Sequence, residues 1–396
     1  MLLVVLTGAS CDVRLYPLRA TTGRDGSPAQ DSSTLQDSSI PTGDCPDTLI
    51  GYATMSDLGG EWDGGPTGMP TLLLDGGVSG GGPLDGGTLV VVDAQASDAL
   101  AEFTTYASDK TPGPLTIVVK GMITIPPTPD GGDTGGEQIR VSSNKTVFGA
   151  DGNSGFFGGG LAMTKVSNVM IRNLVIAMPN TNGAIDAIHI EESHQIWIDH
   201  CDLSSNGDSD AGTSYDGLVD ISDQSDFITV SWTHYHDHRD SGLVGRSDSS
   251  AAAAEDAGKE HVTYDHDWFQ NVSTGPRVRF GTVHVLNNFF DTVANYGVAS
   301  TDGANVRIEA SSFSDVASTP INANDAPVTT ILDSPATAGS VYLVNNLPTS
   351  IGSNVPTAQV VPFALPYPYV FDSAANTPAL VHGCAGTGKI PAPTGN

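Results

Sequence analysis

The sequence predicts an all-β solenoid, a stack of coils in which each coil lays its strands on those of the coil before it. Two observations carry that prediction. Beyond LTIVVKGMI at 115–123, one phrase recurs: alternating apolar residues followed by polar turn residues. It appears as VMIRNLVI at 169, IWIDHCDL at 196, ITVSWTHY at 228, VTYDHDWF at 262, VHVLNNFF at 283, VRIEASSF at 306 and VYLVNNLP at 341. The first and third residues of each phrase are aliphatic or Tyr, the period-two mark of a strand with one buried face. The second observation is the spacing of the phrases, 27, 32, 34, 21, 23 and 35 residues. A unit of 21 to 23 residues with variable insertions is what stacked coils produce, because loops lengthen without disturbing the strands.

Taken in order, the chain begins with MLLVVLTGASC at 1–11, a short apolar run ending in small residues and Cys11. It reads as an export signal, with lipid attachment at Cys11 as the alternative. Residues 12–44 are rich in Ser, Thr, Asp, Gly and Pro and are expected to form a disordered tether. One large domain then runs over 45–396. Residues 59–87, full of Gly-Gly pairs, read as irregular surface loop. SDALAEFTTYA follows, with Ser97 as the expected N-cap and Leu100, Phe103 and Ala107 at helical spacing. A short amphipathic helix there would plug the open end of the stack.

The fifth residue of each phrase is Asn173, His200, Trp232, His266, Asn287, Ala310 or Asn345. With coils in register these side chains stack at strand spacing, about 4.8 Å. An Asn ladder at a bend satisfies its amides on the coils above and below. His200 and His266 are therefore expected to be structural.

Composition narrows the function. The chain carries 16 Lys and Arg against 45 Asp and Glu, a formal net charge of −29. That excludes nucleic acid as a natural partner, and such a surface repels any acidic polymer unless a cation intervenes. No later stretch is apolar for long enough to span a membrane. Cys201 sits inside a strand-like run and reads as a buried thiol. In an oxidising compartment Cys45 and Cys384 are placed to clip the ends of the domain.

Between 182 and 220, Asp186, Asp216 and Asp220 fall between strand-like runs. Three carboxylates from neighbouring coils of a rigid scaffold suit a hard cation such as Ca²⁺ better than zinc or copper.

From Cys45 to Gly388 the chain resembles the pectate lyases of the first polysaccharide lyase family. The resemblance rests on GYATM at 51, SNKTVFGADG at 143, GGGLAM at 158, NVMIRNL at 168, DAIHI at 186, IWIDH at 196, YDGLVDISDQSDFITVSW at 215, HDHRDSGLVGRSD at 236 and GPRVRFGTVHVLNNFF at 275. It implies a right-handed parallel β-helix and a secreted, monomeric enzyme that cuts polygalacturonate by β-elimination with bound calcium. A base removes the proton α to the uronate carboxylate and the glycosidic oxygen on the next carbon leaves. Calcium bridging protein and uronate neutralises the carboxylate and stabilises the enolate-like charge. The implied metal ligands carry over as Asp186, Asp216 and Asp220.

The rest of the site departs from the family pattern. Where the family has R-x-P-x-x-R this chain has TGPRVR at 274–279, so Thr274 stands at the base position, with no evident base partner of its own. Arg279 keeps the second arginine and Arg277 lies between. The family lysine of H-D-H-x-K is Asp240, next to Arg239. Arg239, Arg246, Arg277 and Arg279 are the candidate clamp for a substrate carboxylate. Alternation puts Arg277 and Arg279 on one face, where either both meet the cleft and one serves as surrogate base, or both lie on a loop-covered flank. Three further readings stay open: a lyase-shaped protein that binds acidic glycan through calcium without cutting it, an adhesive surface module, and a glycoside hydrolase using Asp216 and Asp220 as its acid–base pair.

Overall fold

The computed structural model describes residues 34–36, 45–55, 79–80, 88–126, 138–178, 185–205, 216–316, 321–322, 339–349 and 364–393. Among them run three large parallel sheets, one of ten strands and two of eight, and each complete coil contributes one strand to each of them. One coil shows the pattern: His194–Asp199 lies in the first sheet, Asp202–Ser204 in the second and Val219–Ser222 in the third, after which Asp226–Ser231 begins the next coil. This is a parallel β-helix, right-handed as parallel crossovers almost always are.

The recurring phrase sets the register. Val169, Ile196, Ile228, Val262, Val283, Val306 and Val341 pair in succession across the first sheet, and all seven are fully buried. In the second sheet Tyr235, Phe269, Phe290 and Phe313 stack at 4.6, 4.8 and 4.5 Å between ring centroids. The outer face of the first sheet is covered by terminal segments: Tyr52 N–H donates to Thr263 Oγ1, which also meets the Tyr367 hydroxyl at 2.9 Å.

The fifth residues of the phrases are the bends. Asn173, His200, Trp232, His266, Asn287, Ala310 and Asn345 all have left-handed backbone, with φ between 48 and 58°. Asn tolerates that conformation; Trp and Ala rarely adopt it, so packing must hold them there. Asn173 Nδ2 donates to Gly149 O at 2.6 Å and Asn287 Nδ2 to Ala310 O at 3.0 Å, each on the adjoining coil. The Trp232 ring stacks on His266 at 4.2 Å and lies 6.0 Å from His200. His200 pairs with Asp199 at 2.8 Å and His266 with Asp265 at 2.7 Å. Both histidines are thus structural, as expected.

Several local expectations change. The plug helix runs Ala99–Ala107 with Asp98, not Ser97, at its N-cap, and no side chain caps it. Its core seam keeps Phe103 and Ala107 as expected but takes Ala99 in place of Leu100, which sits at the margin, while Phe103 meets Phe156 at 4.7 Å. Thr34–Gln36, inside the expected tether, pairs as a parallel strand with Val370–Asp372. Ser250–Asp256 is a helix whose Ser249 cap accepts from Ala252 N–H at 3.2 Å. A further helix at Thr377–Cys384 carries Cys384, which is disulfide-bonded to Cys45 with 5.4 Å between Cα atoms. Cys201 is a buried free thiol whose pKa burial pushes up to about 12. Cys11 and most of 59–87 lie outside the described residues.

Two long connections fall at different corners of the coil. Residues 205–218 separate the second and third sheets, whereas 245–260, with the helix, separate the third sheet from the first. Both connections join the third sheet.

Candidate metal and substrate site

The third sheet carries the carboxylates. In Ile188–Glu191 and Val219–Ser222, Ile188, Ile190, Val219 and Ile221 point into the core, so His189 and Asp220 point outward and are paired across the ladder. Asp186 ends the approach to the first of these strands and Asp216 the approach to the second. One oxygen from each of Asp186, Asp216 and Asp220 lies within 4.8 Å of the others. Asp186 and Asp220 are buried and Asp216 is exposed, so the cluster opens to solvent on one side.

The trio is positioned by backbone and by a neighbouring ring. Gly217 N–H donates to Asp186 Oδ1 at 3.0 Å and Leu243 N–H to Asp220 Oδ1 at 3.2 Å. His189 Nδ1 lies 2.7 Å from Asp186 Oδ2. Residue 217 must be glycine for a spatial reason: a Cβ there would stand 2.0 Å from Asp220 Oδ1.

Three crowded carboxylates repel one another, and burial removes the water that would screen them. Asp186 is pushed up to about 8, by burial first and then by the charge of Asp216. Asp220 is raised well above the usual carboxylate range by burial, Asp186 and Asp216. An all-oxygen donor set whose charges are frustrated without a counter-ion fits a hard divalent cation such as calcium.

The outward row through Asp220 extends along the sheet as Arg140, Ala162, His189, Asp220, Leu243, Arg277 and Ala299. Arg277 is two rungs from Asp220, roughly 10 Å, and Arg140 is three rungs away on the other side. Arg277 shares the outward row of the carboxylates and Arg279 continues it, and both are largely covered there by Asp248 of the corner that follows the third sheet. Arg140 and His189 had no role in the sequence reading. The row that singles them out exists only once the register is known.

Each clamp arginine has an acidic partner. Arg277 Nη2 donates to Asp248 Oδ1 at 3.0 Å, and Arg279 Nε donates to the same oxygen while its Nη1 reaches Gly245 O at 2.9 Å. Burial opposes ionisation of Asp248, yet Arg279 and Arg277 hold its pKa below the usual range. Arg277 is drawn below the ordinary arginine value by burial and by the charge of Arg279. Arg246 is exposed between Asp223 at 3.0 Å and Glu255 at 3.1 Å, and Arg239 donates to Asp240 at 2.8 Å.

Thr274 differs from expectation. Its hydroxyl does have an acidic partner, donating to Asp240 Oδ1 at 3.1 Å from the next rung of the second sheet. The two positions at which the chain departs from the family pattern are therefore bonded to each other.

Comparison with known proteins agrees with this geometry. A sequence model of the pectate lyase family matches residues 75–389. Pectate lyase plyB of Emericella nidulans is 38% identical over 297 residues, covering 74% of this chain and 80% of that protein. Pectate lyase B of Colletotrichum gloeosporioides is 38% identical over 272 residues, 68% and 74% of the two chains. Among solved structures, the Bacillus sp. N165 pectate lyase Bsp165PelA in complex with trigalacturonate superposes with a TM-score of 0.66 at 26% identity, covering 86% of this chain and 99% of that one. The chain belongs to the pectate lyase family.

Proposed function

We propose that this protein is an exported, calcium-dependent lyase that cleaves polygalacturonate by β-elimination, with Asp186, Asp216 and Asp220 as the metal ligands. The observation that carries the reading is the row on the third sheet: a clustered carboxylate trio flanked along one line by Arg140 and Arg277. A chain of net charge −29 needs local positive charge to hold an acidic polymer, and this line supplies it. The trigalacturonate bound by the Bacillus relative supports the substrate class. The Cys45–Cys384 disulfide supports an oxidising compartment.

Calcium at the trio would neutralise the uronate carboxylate and make the neighbouring C–H more acidic. Arg277 is the proton acceptor in this reading, because burial and Arg279 favour its neutral form and its row faces the trio. Arg279, anchored by Gly245 and Asp248, orients the substrate carboxylate. Thr274 and Asp240 hold the adjoining corner.

A second reading has its own observation. All four clamp arginines are already paired with carboxylates and the base position is a threonine, which favours a protein that grips acidic glycan without cutting it. The test is the ultraviolet absorbance of unsaturated ends formed from polygalacturonate, with calcium and with chelator. A calcium-dependent rise that falls by a factor on the order of 100 or more in Arg277→Ala, with polymer binding retained, is the expected result. Calcium-dependent binding with no rise in the parent protein establishes the second reading instead.

A further inference from the structure

A second cluster of ligating side chains lies on the outer face of the second sheet. Asp202 pairs across the ladder with His234, and Ser204 with His236. Tyr235 is buried between the two histidines, so alternation turns both imidazoles outward. Each carboxylate oxygen of Asp202 meets one ring: Oδ2 is 3.3 Å from His234 Nδ1 and Oδ1 is 3.0 Å from His236 Nε2.

The opposite ring nitrogens are also occupied. His234 Nε2 meets Gln270 Oε1 at 3.0 Å, and His236 Nδ1 meets Asp237 Oδ2 at 2.9 Å. Asp237 is held in turn by Asn271 Nδ2, which donates to its Oδ1 at 2.6 Å, and it adopts a left-handed φ of 50°. The ring of His234 is sandwiched between His236 at 4.3 Å and Trp268 at 4.1 Å.

Both outer nitrogens face oxygen acceptors and therefore carry protons. A neutral imidazole has one proton to give, so the inner nitrogens present lone pairs toward a carboxylate. Two lone pairs and a carboxylate converge stably only with a positive charge between them, a proton on a ring or a bound metal ion. Ligand atoms of a tetrahedral ion at about 2.05 Å stand about 3.3 Å apart, close to the spacings found here. Ligating histidines with the far nitrogen fixed by a carboxylate or carbonyl oxygen are the usual support of such an ion.

We infer that Asp202, His234 and His236 form a second metal site, selective for a borderline divalent transition ion of the zinc class and distinct from the all-oxygen trio. All three are partly exposed, which leaves a coordination position for water. Asp202 and the histidines belong to successive coils, so the bound ion staples two coils together beneath the helix Thr377–Cys384, whose His382 packs on Trp268 at 4.5 Å.

The experiment is a Co²⁺ titration of the untagged full chain near neutral pH, after chelator treatment and in saturating calcium so that the trio is filled. The expected result is one equivalent bound, with the visible absorption of four-coordinate cobalt, displaced by Zn²⁺. The band disappears in His234→Gln/His236→Gln and persists in Asp220→Asn. Zn²⁺ raises the melting temperature of the parent protein and leaves that of the double variant unchanged. Absence of saturable Co²⁺ and Zn²⁺ binding in the parent protein overturns the inference, showing that protons alone fill the space between the rings. A band that survives in the double variant overturns it as well.

Discussion

Replacing Asp186 by Asn should change stability in opposite directions with and without calcium. Free of metal, Asp186 titrates near 8 in the folded protein because of burial and the charge of Asp216, against about 4 in the unfolded chain. Between those values the folded state holds a proton that the unfolded state has released, so folding stability falls as pH rises through this window. A tenfold change in proton affinity is worth about 1.4 kcal/mol, which places the deficit at pH 7 near 4 kcal/mol. Asn carries no charge and escapes it. In chelator the two proteins should therefore be equally stable near pH 4, with the variant gaining up to about 4 kcal/mol by pH 7. In saturating calcium the order reverses, because the parent gains binding energy that the variant lacks. Urea unfolding of both proteins at several pH values, with calcium and with chelator, measures this. If the difference between them is independent of pH in chelator, or keeps its sign in calcium, the trio is not the frustrated cation site argued here.

Three shorter predictions follow from the same structure. Gly217→Ala places a Cβ against the Asp220 carboxylate and should weaken calcium affinity on the order of 10-fold or more, read by calorimetric titration. His266 is raised to about 9: burial works against the charge, but Asp265 and Asp372 outweigh it. Its contribution of about 3 kcal/mol should be complete below about pH 6.5 and be lost as pH climbs through 9, seen as the narrowing stability gap between the parent and His266→Gln. Cys384→Ser opens a loop of 339 residues and should lower unfolding stability by about 2–5 kcal/mol, measured by chemical denaturation against the parent protein.

Much of this molecule is legible in its sequence because a β-helix repeats one local rule. Alternation sets which side chains enter the core, and the recurring phrase sets the rung. Val169, Ile196, Ile228 and their successors therefore pair as their alignment predicts. The same repeat places the fifth residues of the phrases at one bend and makes Asp186, Asp216 and Asp220 neighbours across coils.

What the tertiary structure alone decided concerns groups whose meeting depends on the corners. Asp248 lies on the corner after the third sheet, and only the path of that corner brings it onto Arg277 and Arg279. Thr274 and Asp240 are 34 residues apart and bond because the second sheet holds their coils one rung apart. Arg140 and His189 join the carboxylate row through register, and the insertion carrying Ser250–Asp256 falls on a different corner from that at 205–218. The helix N-cap is Asp98 instead of Ser97, and Ala99 instead of Leu100 joins Phe103 and Ala107 in the seam that meets the end of the stack. Local pattern specifies strands and their faces, since both follow from adjacent residues and a fixed period. Ion pairs, corner insertions and caps answer to distances across coils, and those are set only when the whole stack closes.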